Sequence, residues 1–236
     1  MQRREFLAAL AASCASPCIA PAEALAAIPA GSARRFYARA LLTDDRGKPL
    51  RAASLARQRN YLFHYPYATT PCFLLDLGRT AAADAGSAWP GGVGPGRSLV
   101  AYSAICSHQL TYPTRDISFI SYRAEASPQN RHAHVIHCCS EHSQYDPAQG
   151  ARVLAGPAPH PLAAILLEHD PKNDTLHALG TLHALGTLGI EMFDTFFEKF
   201  GFRLALENGA QNVRKPVANE ARVIELDSFC RQQVRC

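Results

Sequence analysis

Two thiols and two imidazoles arrive in this chain as matched short pairs, Cys106-Ser107-His108 and Cys139-Ser140-Glu141-His142, with thirty residues between them. Donors one or three residues apart share a single tight loop, and two such loops facing each other can grip one metal centre from both sides. Whatever fold the chain adopts must therefore bring the two loops together. Equal numbers of Cys and His leave two centres to consider. One is a tetrahedral zinc ion, and the other is a [2Fe–2S] cluster with two Cys on one iron and two His on the other.

The residues that follow decide between them. A zinc finger would continue from its second pair into a short helix, whereas here the chain runs into Ser143-Gln144-Tyr145-Asp146-Pro147 and then Gly156-Pro157-Ala158-Pro159-His160-Pro161-Leu162. In this order C-x-H, C-x-x-H, Tyr-Asp and Gly-Pro-Ala-Pro resemble the Rieske iron–sulfur family, from about Ser98 to Leu167. The resemblance implies one [2Fe–2S] cluster per chain, with Cys106 and Cys139 on the inner iron and His108 and His142 on the outer one. It implies that Gly156, Pro157 and Pro159 belong to a proline loop folded over the cluster. Ser143 and Tyr145 are then the hydroxyls placed to donate to cluster or ligand sulfur, which raises the potential by stabilising the reduced state.

The chain departs from the family in three places. Cytochrome bc-type members tie their two ligand loops with a disulfide whose positions are Thr111 and Glu141 here, so that bridge cannot form and the chain is closer to the ferredoxin and oxygenase branch. The second loop is one residue short between His142 and Tyr145, and the gap between the pairs is long.

The choice of Cys139 over Cys138 rests on the C-x-x-H spacing, because Cys138 would make C-x₃-H and point to the opposite face of an extended strand. Cys72, Cys138, Cys230 and Cys236 are left over; in an oxidising compartment they allow three pairings, or none. His134, His137 and His142 approximate the spacing of a mononuclear iron site. An oxygenase would need a separate catalytic domain that 236 residues cannot supply, so no catalytic residue is assigned.

At 47% hydrophobic and 19% charged residues the chain is long enough for one sizeable core, and its net charge of +4 is dispersed, which argues against nucleic-acid binding. Residues 1–33 carry Arg3-Arg4, an Ala-rich apolar stretch and small-residue sites such as Ala22-Glu23-Ala24, the layout of a twin-arginine signal. Export of a folded protein suits a cluster inserted in the cytoplasm. The segment is expected to be cleaved, or kept as an inner-membrane anchor.

Residues 34–236 read as one β-dominated domain, an antiparallel β-sandwich with a cluster-binding subdomain at about 104–162 and one short helix in the C-terminal half. Strands are expected at Tyr61–Tyr65, Pro71–Leu77, Ser98–Ile105, Ile117–Tyr122 and Ala163–Glu168. Leu176–Thr181 is repeated as Leu182–Thr187, too short an array for a solenoid. Ile190 to Phe200 has helical spacing stopped at Gly201, and Phe202–Leu206 and Arg222–Leu226 are expected as strands. The resulting expectation is one-electron transfer in the periplasm, as the iron–sulfur subunit of an oxidoreductase rather than a catalyst by itself. The partner is a cytochrome, an oxidoreductase subunit or a quinol. A stand-alone ferredoxin and a structural Cys₂His₂ zinc protein are the alternatives.

Overall fold

The computed structural model describes residues 34–85, 87–182 and 192–236. Residues 1–33, expected as a signal, and residues 183–187 of the repeat lie outside them. Strands run in order as β1 (Arg34–Thr43), β2 (Tyr61–His64), β3 (Pro71–Asp76), β4 (Leu99–Ser103), β5 (Ile117–Ser118), β6 (Ile120–Arg123), β7 (Val135–Cys138), β8 (Ser143–Asp146), β9 (Arg152–Ala155), β10 (Ala164–Asp170), β11 (Thr175–Leu182), β12 (Asn219–Arg222), β13 (Ile224–Glu225) and β14 (Gln232–Gln233). The described residues also hold two α-helices, α1 (Met192–Asn208) and α2 (Leu226–Phe229), and three short 3-10 turns. The all-β expectation holds.

Eight strands form the base in the order β12-β1-β11-β10-β4-β3-β2-β13. Its two ends are one continuous piece of chain. Asn219–Arg222 pairs with β1, Ile224–Glu225 pairs with β2, and Val223 between them donates its N–H to Thr43 O at 2.8 Å, so the sheet closes on itself as a barrel. Both faces of the central strands are consequently buried, which is why they read as apolar runs without alternation. Phe63, Cys72, Leu74, Leu99 and Ala101 fill the interior with Ala40, Leu42, Ile165 and Leu176. Leu62, Phe73, Leu75, Val100 and Tyr102 face outwards, under a second sheet in the order β6-β7-β8-β9 that contributes Ile120, Tyr122, Ile136, Cys138 and Tyr145. This sheet is carried by the insertion between β4 and β10, which are themselves neighbours with Tyr102 opposite Ala164.

Two expected elements differ. The strand expected over Ile117–Tyr122 is broken at Phe119 into β5 and β6, and the freed Phe119 carbonyl accepts the Cys139 N–H at 2.7 Å. The expected short helix continues through Gly201 to Asn208, so Phe202–Leu206 is helical and not a strand. Met192, Phe193, Phe196, Phe197 and Leu204 are buried on one side of α1, at about 1.5–3 kcal/mol each. That far outweighs the roughly 1 kcal/mol cost of a glycine within a helix.

Candidate metal centre

The first ligand loop is a tight turn at the end of β4. Cys106 N–H donates to Thr111 O at 2.8 Å and Leu110 N–H to Cys106 O at 2.9 Å, with Leu110 in the left-handed region at φ 62°. α1 supports this loop from behind. Ile105, Leu110 and Tyr112 pack against Phe193 and Phe196, Tyr112 meets Phe196 edge-on at 5.0 Å, and its hydroxyl donates to Glu207 Oε2 at 3.0 Å. Cys106 is buried, and His108 holds its Nδ1 in a buried position with no hydrogen-bond partner.

The second loop is the four-residue turn between β7 and β8, closed where Cys138 pairs with Ser143. Alternation along β7 sets its chemistry. Ile136 and Cys138 face the core, while His137 between them faces the other side. The sulfur facing Cys106 is therefore that of Cys138, which is within hydrogen-bond reach of the Cys106 sulfur. Cys139 instead forms a disulfide with Cys236. A sulfur so bonded is no thiolate donor, so the free thiol that stands opposite Cys106 is Cys138 and not the Cys139 expected from the C-x-x-H spacing.

The two buried sulfurs have the same surroundings. Cys106 Sγ accepts the backbone N–H groups of His108 and Gln109, and Cys138 Sγ those of Ser140 and Glu141, two and three residues on in each case. Such a fork of amide dipoles stabilises a thiolate. The Cys106 thiol is brought down to about 6, chiefly by its hydrogen bond with Cys138. Cys138 is pushed up by that same hydrogen bond and by burial, since two adjacent buried thiolates repel without a cation between them.

Tyr145, fully buried, sets its hydroxyl 3.2 Å from Cys106 Sγ and also accepts the Ser107 N–H at 3.3 Å. Burial and then contact with Cys106 push its own pKa up, so the hydroxyl remains a donor. Ser143 is buried with its Oγ unpartnered. The Gly-Pro-Ala-Pro segment lies on both ligand loops: His160 O accepts Ser107 Oγ at 2.6 Å, and Gly156, at φ 87°, packs so closely that a Cβ there would sit 2.5 Å from His142 O. Pro157 and Pro159 are exposed, and it is Ala158 between them that is buried. His142, in the left-handed region at φ 57°, is exposed at the tip of the second loop.

Two thiols and two imidazoles thus come from the two loops, with the thiols inside and the imidazoles nearer solvent. The unpartnered His108 Nδ1 and Ser143 Oγ, and the amide forks on both sulfurs, fit a [2Fe–2S] group that takes nitrogen and sulfur donors and accepts hydrogen bonds on sulfur. Sequence reasoning set Cys138 aside on spacing and did not single out Ser107; the apolar phase of Ile136 and Cys138 was the signal for the inward face of Cys138.

No family model matches the chain. Among solved structures it is similar to the soluble domain of Rieske protein II (soxF) from Sulfolobus acidocaldarius, with 28% identity and a TM-score of 0.40, covering 52% of this chain and 68% of that one.

Proposed function

We propose that this chain is a Rieske-type [2Fe–2S] electron-transfer protein. Cys106 and Cys138 hold the inner iron, and His108 and His142 the outer one. The observation that carries the reading is the pair of adjoining buried sulfurs, each under a fork of two backbone N–H groups, with an imidazole further out on each loop. When bound, the cluster supplies a one-electron couple. The chain's residues do the rest: Tyr145 donates to the Cys106 sulfur, the 156–161 segment covers the loops, and exposed His142 offers an edge to a redox partner. The partner on this reading is a cytochrome, an oxidoreductase subunit or a quinol. Residues 1–33 direct export to the periplasm by the twin-arginine route, and a disulfide such as Cys139–Cys236 is at home in that oxidising compartment.

Iron and sulfide analysis with EPR of the dithionite-reduced protein tests the centre. The expected result is two iron and two sulfide per chain; bound zinc with no sulfide would sink the proposal. Cys138→Ser is expected to give apoprotein and Cys139→Ser to keep the cluster, and the reverse pattern would restore Cys139 as ligand. Replacing Arg3 and Arg4 by Lys is expected to hold the loaded protein in the cytoplasm, as fractionation would reveal.

A further inference from the structure

The outer side of β7 gathers a second set of donors, independent of the two buried thiols. His137, which faces away from Cys138, places its Nδ1 3.5 Å and its Nε2 3.7 Å from Cys236 Sγ. His142 lies beside it with ring centroids 5.8 Å apart, and ligand atoms of His137, His142 and Cys236 all fall within 4.8 Å of one another. The fourth donor is Cys139, whose sulfur is bonded to that of Cys236. We infer that reduction of the Cys139–Cys236 disulfide opens a zinc site formed by His137, Cys139, Cys236 and His142.

The donors stand close enough to converge on one tetrahedral ion once the disulfide opens. With Zn–S of about 2.3 Å and Zn–N of about 2.0–2.1 Å, the sulfur-to-nitrogen edge of a zinc tetrahedron is about 3.6 Å. One such edge is already in place, since whichever His137 nitrogen ligates stands 3.5 Å (Nδ1) or 3.7 Å (Nε2) from Cys236 Sγ. The two sulfurs are bonded to each other, and opening that bond supplies the two thiolates. Spacing helps as well: His137-x-Cys139-x-x-His142 puts three donors on one short hairpin, so that only Cys236 comes from afar. His137 is fully buried at this position.

His142 is also the outer imidazole of the proposed cluster. In the cluster-loaded chain it stays there, and zinc is held by His137, Cys139 and Cys236 with water in the fourth position. The chemistry balances with a phosphine as reductant. The disulfide takes an electron pair and two protons to give two thiols, the phosphine leaves as its oxide with oxygen from water, and zinc binding then releases the two thiol protons.

Full-length protein, oxidised or treated with a water-soluble phosphine, is titrated with zinc against a colorimetric chelator, and iron and sulfide are measured on the same samples. Iron and sulfide report the cluster independently of this site, so either reading can fail alone. The expected result is one zinc per chain gained on reduction, with affinity weakened by about tenfold or more in His137→Gln and in Cys236→Ser. Cys236→Ser changes a half-buried position and keeps the test open if His137→Gln fails to fold. Equal zinc uptake by oxidised and reduced protein would overturn the inference. So would undiminished uptake by the reduced folded variants, which would assign the metal to Cys106 and Cys138.

Discussion

The Tyr145 hydroxyl, 3.2 Å from the Cys106 sulfur, stabilises charge on that sulfur and so favours the reduced state of a centre bound there. One such hydrogen bond contributes about 1 kcal/mol, which for a single electron is about 40 mV. Tyr145→Phe is therefore expected to lower the potential by that order with the cluster retained, as voltammetry would register; an unchanged potential would reduce Tyr145 to packing. Gly156 has the opposite profile. Its left-handed φ and its approach to His142 O leave no room for a Cβ, so Gly156→Ala is expected to push the second loop away and lower iron content in freshly purified protein. At this scale the two facing loops were legible from spacing. Which of the adjacent thiols Cys138 and Cys139 turns inward was not, because C-x-x-H is a rule about neighbours in sequence, while the side of β7 that a thiol occupies is decided by the apolar phase of Ile136 and Cys138.

Helix α1 supports the first ligand loop through Tyr112, Phe193 and Phe196, and it carries Gly201 where a stop was expected. Glycine ends a helix when the backbone must turn left-handed, but nothing there requires it, and Arg203–Glu207 at 2.6 Å adds an i,i+4 pair in the next turn. A Cβ on Gly201 would meet no atom within 4 Å. Gly201→Ala is thus expected to stabilise the protein by about 0.5–1 kcal/mol in denaturant titrations, with no change in the metal centre. The strands were legible wherever apolar runs ended at proline or glycine, as in β2, β3 and β10. The break at Phe119 was not, since it answers to the Cys139 N–H, which belongs to a residue twenty positions away.

For the molecule as a whole, barrel closure by Asn219–Glu225 had no local signature, because it depends on which strands stand at the two ends of the sheet. The link from Cys139 to Cys236 spans 97 residues, so Cys236→Ser is expected to cost up to about 4.7 kcal/mol in unfolding experiments. Stability should also fall in acid. His64, beside Phe229, has its pKa lowered from 6.5 to about 4, first by burial and then by the Arg115 charge. Below pH 6.5 the unfolded chain takes up the proton first, so stability declines as pH falls from 6.5 to 4 and levels off beneath, by up to about 3 kcal/mol. His64→Gln should flatten that window in pH-dependent melts. The position of the insertion bears on the order in which the molecule folds. Tyr102 and Ala164 are partners in one antiparallel pair but sixty-two positions apart, and closing so long a loop costs about 3.5 kcal/mol before the barrel gains a single contact. The meander β6 to β9 is local and can form first, drawing the ends of β4 and β10 together and shortening the effective loop. Pulsed hydrogen exchange during refolding should then protect the amides of β7 and β8 before those of β10, and simultaneous protection would mean that the barrel does not wait for the unit inserted into it.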